Sequence, residues 1–273
     1  MSAARFGGRR AVVTGASRGI GAGIAERLAA EGAGVAIVAR TRDTHDHLAG
    51  SLASTAARLE RYGTSVAMIV ADLTDEHDRA RVIPEAETAL GGPIEVLVNN
   101  AAAAFYGPLA ELSLKRRRLL FEANVHAPLD LVQAALPRMR ELGEGWIVNV
   151  SSGASRPWEG PPFGLGVTGS AITAYGASKA ALNRVTNGLG AELYGAGIRA
   201  NTVQPRAAVL TEGADALLGG RLRPDQIETL EQMVEAVVAL CDCPADVTGQ
   251  SFVSLDLLAD WGLVAHRLDG SLP

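Results

Sequence analysis

The stretch Thr14-Gly15-Ala16-Ser17-Arg18-Gly19-Ile20-Gly21 decides the fold. It follows an apolar, strand-like run, Arg10–Thr14, and opens a helical segment near residues 20–31. Gly15 permits a sharp turn, Gly19 lets a pyrophosphate approach the backbone, and Gly21 lets the helix pack on the strand. Ser17, Arg18 and Ile20 complete the turn. The helix N-terminus presents free N–H groups and the positive end of its dipole, so the turn reads as a phosphate site. The spacing is G-x-x-x-G-x-G, which the commoner G-x-G-x-x-G fingerprint would miss. Its weight comes from its place in the first strand–helix unit.

Outward from that unit, short apolar runs alternate with longer helix-like stretches. Strands are read at Arg10–Thr14, Val35–Ala39, Ser65–Ala71, Val96–Asn99, Trp146–Val150, Arg199–Val203 and Ser251–Leu255. Helical segments lie near 20–31, 44–61, 75–90, 111–141, 174–194 and 224–241. Nearly all-apolar strands suit a sheet covered on both faces. Strict alternation implies right-handed parallel crossovers, hence an α/β, doubly wound sheet in a single domain over residues 1–273. Two stretches break the rhythm, 153–173 and 205–223, and both follow strands at their C-terminal ends, where ligands bind in such sheets. The first reads as an inserted loop, and 256–273 as a C-terminal tail.

Bulk properties narrow the function. The 273 residues are 48% hydrophobic, enough for a full core, and the net charge of −5 supplies no basic field for nucleic acid. No run approaches the roughly 18 apolar residues of a membrane span. No signal peptide is read at the N-terminus, and Cys241 and Cys243 lie too close in sequence to staple a fold, so a cytoplasmic location is expected. Neither that pair nor His45-Asp46-His47 is read as a metal site, since imidazoles two apart diverge on a helix. The basic run Lys115–Arg118 reads as a solvated helix face.

The second strand's end reports which nucleotide binds. A carboxylate there would accept from the ribose 2′-hydroxyl of NAD. The chain instead has Val38-Ala39-Arg40-Thr41, and Arg40 with Arg18 could clamp a 2′-phosphate. NADP is therefore expected, and NAD less so. Asp72-Leu73 ends the third strand, where a carboxylate can accept from an adenine amino group. Asn99-Asn100-Ala101-Ala102 ends the fourth, its polar side chains able to tie strands together while small alanines leave room for the cofactor.

Tyr175 and Lys179 stand four apart in Ala174-Tyr175-Gly176-Ala177-Ser178-Lys179, one turn apart on one helix face. A fixed ammonium beside a phenol lowers its pKa from about 10 and makes it a usable acid or base. With TGASRGIG, NNAA, Asn124 in EANVHAP and Ser151-Ser152 in IVNVSS, these residues resemble the short-chain dehydrogenase/reductase family over roughly 8–255. The resemblance implies a Rossmann-type sheet of seven strands, a nicotinamide cofactor and hydride transfer between a carbonyl and an alcohol. It implies Tyr175 as acid/base, Lys179 lowering its pKa and holding the nicotinamide ribose, and Ser152 polarising the carbonyl, with Ser151 as competitor. Asn124 would kink its helix and hold a water linking Lys179 to solvent. A homodimer or homotetramer built through helices near 111–141 and 174–194 is also implied. The alternatives are an NAD-preferring alcohol dehydrogenase and a non-catalytic NADPH-binding regulatory protein.

The chain departs from the family pattern in three places. Ser152 and Tyr175 are 23 residues apart, and the longer stretch, with Trp158 and Phe163, suggests a partly apolar substrate wall. Pro205-Arg206 stands where Pro-Gly is usual, and the last strand lacks its usual Asp-Gly-Gly.

Overall fold

The computed structural model describes residues 4–43, 49–165, 169–209, 211 and 227–273. His45-Asp46-His47 and most of 205–223 lie outside the described residues. The order is β1 (Arg10–Thr14), α1 (Gly19–Ala30), β2 (Gly34–Ala39), α2 (Leu52–Leu59), β3 (Val66–Val70), α3 (Glu76–Leu90), β4 (Val96–Asn99) and α4 (Leu114–Phe121). A π turn (Glu122–His126) leads into α5 (Ala127–Leu142), then come β5 (Gly145–Val150), α6 (Thr173–Glu192) and β6 (Ile198–Gln204). A short pair, β7 (Ala208–Val209) and β8 (Ile227–Glu228), precedes α7 (Leu230–Leu240), β9 (Ser251–Val253) and α8 (Ser254–Asp260).

Seven parallel strands form one sheet in the order β3-β2-β1-β4-β5-β6-β9. The order reverses between β1 and β4, which opens a crevice at their C-terminal ends. Every residue of β5 is buried, as expected of a strand covered on both faces. One apolar cluster joins α1, α2, α7 and α8 to one face; the other joins α3 and α5 to the opposite face. Ser51 and Thr229 close capping boxes that fix the starts of α2 and α7.

Three expectations shift. The long helix expected over 111–141 is two helices joined by the π turn. The last strand stops at Val253, because Ser254–Asp260 turns helical and buries Leu257 and Leu258 against the core. The tail therefore begins as α8, and its remainder packs on the body: Trp261 meets Phe252 edge-on at 5.9 Å, and Leu263 and Leu268 cover the first cluster. His266 fastens it, its backbone N–H and Nδ1 lying 3.0 and 2.9 Å from Glu235 Oε2 on α7.

Candidate active site

The Gly-rich turn leaves β1 with Gly15 at φ +67 and Gly19 at φ +53, both in the left-handed region. A Cβ on Gly15 would lie 2.9 Å from the Ala101 Cα. One on Gly21 would lie 2.4 Å from both Asn100 Nδ2 and the Gly15 carbonyl oxygen. Asn100 organises the turn: its Nδ2 donates to the Thr14 carbonyl at 2.9 Å and its backbone N–H to Thr14 Oγ1 at 3.0 Å. The Ala101 N–H joins it on Thr14 Oγ1 at 3.0 Å. Helix α1 then starts at an extended Arg18 with no side-chain cap and no acid in its first turn. Ser17 and Ile20 flank that N-terminus, Ser17 buried and Ile20 half-buried. These features fit a bound pyrophosphate: backbone N–H groups and a dipole end that the N-cap residue's side chain does not close.

Among the expected nucleotide residues the structure discriminates. Arg40 follows β2, its side chain 72% exposed and 4.0 Å from Asp72 Oδ2. Arg18 directs Nε to the Ala49 carbonyl at 2.7 Å and Nη2 to that of Gly50 at 2.9 Å. It therefore fastens residues 49–50 to the turn rather than standing beside Arg40 as a free second guanidinium. Asp72 Oδ1 is engaged in a turn with the Thr74 N–H and hydroxyl, leaving Oδ2, and the Leu73 carbonyl accepts from Arg79. Asn99 is corrected. It is buried in the sheet, opposite Asn149, and its Nδ2 donates to Asn149 Oδ1 at 2.8 Å. Asn149 donates on to Thr186 Oγ1 of α6 at 2.8 Å. Asn99 thus ties β4 to β5, and Asn100 is the residue at the turn.

Ser152 follows β5, and Tyr175 and Lys179 sit on the first two turns of α6. Ser152 is close enough to the Tyr175 phenol to oppose the rise in its pKa, and Ser152 Oγ accepts from the Ala154 N–H at 3.2 Å. Ser151 is buried with its hydroxyl unpaired. Lys179 is buried and donates from Nζ to the Val150 carbonyl at 2.8 Å. The electrostatics differ from expectation. Burial pushes Tyr175 up to about 12 against the opposing effect of Ser152, and burial pulls Lys179 down to about 8. The chain's own groups therefore keep a neutral phenol rather than a phenolate. Tyr106, on the loop after β4, lays its ring 5.8 Å from that of Tyr175 at 59°. Sequence reasoning missed it, since an aromatic residue in a loop carries no periodic signal.

Asn124 lies inside the π turn, fully buried. Its Oδ1 accepts from the Ala103 N–H and its Nδ2 donates to the Ala103 carbonyl, both at 2.9 Å. Nδ2 also reaches Ser178 Oγ at 3.0 Å, and Ser178 donates to the Tyr175 carbonyl at 2.7 Å. Both amide protons are used, so the side chain joins the β4 loop to the Tyr175 turn.

The described part of 153–173 packs in part on α6. Pro157 and Trp158 line a cavity of about 270 Å³ with Thr173, Gly176, Ala177 and Ala180. Those helix positions share one flank of α6, and Tyr175, Ser178, Lys179 and Leu182 share another. Trp158 therefore faces away from the phenol. Phe163 is exposed.

The short chain dehydrogenase family profile matches residues 9–218, and the chain belongs to that family. It is 30% identical over 252 residues to hydroxysteroid dehydrogenase-like protein 2 of Danio rerio, covering 92% of this chain and 58% of the relative. A solved short chain dehydrogenase from Mycobacterium thermoresistibile superposes with a TM-score of 0.81 at 28% identity, covering 98% and 95% of the two chains. A 3-oxoacyl (acyl-carrier-protein) reductase from Agrobacterium tumefaciens with NADP bound gives 0.75 at 28% identity, over 91% and 93%. The chain spans less than two thirds of the length of these hydroxysteroid dehydrogenase-like relatives. Among the described residues no helix is long and apolar enough to cross a membrane.

Proposed function

We propose that this chain transfers a hydride between NADP(H) and a carbonyl or alcohol substrate, with Tyr175 as the acid/base. The observation that carries the reading is Ser152 acting on the Tyr175 phenol with Lys179 buried one turn on, in a chain whose Gly-rich turn opens α1 without a side-chain cap. Gly15, Gly19, Gly21, Ser17, Arg18, Ile20 and Ala101 would hold the pyrophosphate and its surroundings. Arg40 would meet the 2′-phosphate, and Asp72 and Leu73 the adenine. The nicotinamide supplies the hydride when bound.

The residues divide the remaining work. Ser152 donates to the substrate oxygen and polarises it. Tyr175, protonated at neutral pH, delivers its proton to that oxygen as negative charge develops there. Lys179, which donates to the Val150 carbonyl, would turn its remaining donors to the nicotinamide ribose. Asn124 positions the Tyr175 turn through Ser178 rather than touching substrate. The exposed flank of α6 with α5 is the surface proposed for a homodimer or homotetramer.

The test is NADPH oxidation across a panel of ketones and aldehydes. Wild type should turn over, and Tyr175→Phe should lose at least about a hundredfold in kcat with NADPH affinity unchanged. Tight NADPH binding without turnover on any carbonyl would favour a regulatory role instead.

A further inference from the structure

We propose that Glu228 is a positioning residue for the nucleotide: its buried carboxylate clamps the segment running from β6 to the Gly-rich turn and so sets the affinity for NADP(H). The proposal rests on the nucleotide reading above. Glu228 is 2% exposed, on β8, and has no part in the proton relay. Its Oε2 accepts from the Arg206 N–H at 3.0 Å, from the Ala207 N–H at 3.4 Å and from Ser254 Oγ at 2.7 Å. Ser254 Oγ in turn accepts from the Arg206 N–H at 3.1 Å. One carboxylate thus gathers two backbone donors and a hydroxyl, a charge-assisted set an amide cannot reproduce.

The clamped segment leads to the phosphate site. It leaves β6 at Pro205, where Arg206 replaces the glycine usual in the family. It passes through β7, whose Val209 stands opposite Glu228, and reaches Thr211. A Cβ placed on Gly19 would lie 3.0 Å from the Thr211 Cβ, so this end of the segment rests on the turn itself. Glu228 holds the start of the strap, and the strap's far end borders the pyrophosphate site.

Among the described residues, the charge that bears on Glu228 is that of Arg206, which favours the carboxylate. Arg206 is itself paired with Asp256 of α8. Burial outweighs these and raises the Glu228 pKa above the ordinary glutamate value. A proton is then taken up at a higher pH than by an exposed glutamate, and the neutral acid loses its hold on the two N–H groups. Acidification should therefore weaken nucleotide binding through this residue.

The experiment is NADPH titration by fluorescence between about pH 5 and 8, for wild type, Glu228→Gln and Ser254→Ala. Hydrogen exchange at the Arg206 and Ala207 amides is followed in parallel without nucleotide. Glu228→Gln should raise Kd on the order of tenfold near neutral pH, flatten its acid dependence relative to wild type, and speed exchange at both amides. Ser254→Ala, which keeps the charge and removes one donor, should raise Kd about threefold. It serves as the test if Glu228→Gln does not fold. Folded variants with wild-type Kd, parallel acid dependence and unchanged exchange would overturn the clamp alone. Failure of folded wild type to bind NADPH would overturn the nucleotide reading and the clamp together.

Discussion

Replacing Gly21 by alanine isolates the turn's steric demand. At an ordinary helix position the change would add about 1 kcal/mol of stability. Here the new methyl would lie 2.4 Å from the Gly15 oxygen and 2.4 Å from Asn100 Nδ2. Relaxed carbon contacts need about 3.5 Å, so helix and turn must separate by about 1 Å. Neither neighbour can give freely: one is backbone, and the other is bonded to the Thr14 and Gly15 carbonyls. Overpacking of this kind costs about 1–3 kcal/mol, and disturbing Asn100 adds about 1 kcal/mol. Set against the helix gain, the net loss is about 2 kcal/mol, or a Tm lower by about 4–8 °C. NADPH affinity should fall by more than tenfold, since the opened turn no longer aims its N–H groups. Gly23→Ala is the control: its methyl would meet Val234 Cγ2 at 3.0 Å and Leu268 Cδ2 at 3.4 Å, side-chain ends that can shift. Its Tm should stay within about 2 °C. Thermal melts with and without NADPH measure both terms. A Gly21→Ala protein as stable as wild type, with unchanged NADPH affinity, would refute the reasoning.

Other outcomes follow from the same geometry. Ser152→Ala should lower kcat by about 10²–10³ at unchanged NADPH Kd, whereas Ser151→Ala, lacking a partner to lose, should change kcat less than about threefold; steady-state kinetics compares them. Arg40→Asp should weaken NADPH by about a hundredfold and NADH little, read from paired titrations; equal losses for both would remove Arg40 from the 2′-phosphate. Lys179 carries its charge below about pH 8 and loses it above. The reductive kcat should therefore hold level through neutral pH and fall as pH rises through about 8, and Lys179→Met should abolish that limb.

How much was legible depends on what kind of signal a residue carries. Strands β1, β2, β4 and β5 stood out because a doubly covered sheet requires unbroken apolar runs. Gly15, Gly19 and Gly21 were legible because only glycine tolerates their φ values or contacts. Asn99 and Asn100 were not separable in sequence: side chains alternate along a strand, so one entered the sheet and its neighbour the turn, and the crossing point depends on where β4 ends. Asn124 was found, but its partners on Ala103 and Ser178 come from elements far apart in the chain. The place of Trp158 was hidden for a related reason. Aromatic composition says that Trp158 will be covered, not which flank of α6 will cover it. Glu228 was invisible altogether, since nothing in Ile227-Glu228-Thr229 announces that two backbone amides more than twenty residues earlier converge on it.

The polar chain Asn99–Asn149–Thr186 runs through the interior, crossing from β4 to β5 to α6. A slip of one residue between β4 and β5 would leave these amides facing apolar neighbours, so misaligned forms are penalised as the core closes. The loop of Ala103 follows β4, Ser152 follows β5, and Tyr175 begins α6. The chemistry hangs from the ends of the three elements that this interior thread keeps in step. Substitutions along the thread should thus injure folding and turnover together, while the outlying loops remain free to diverge toward new substrates.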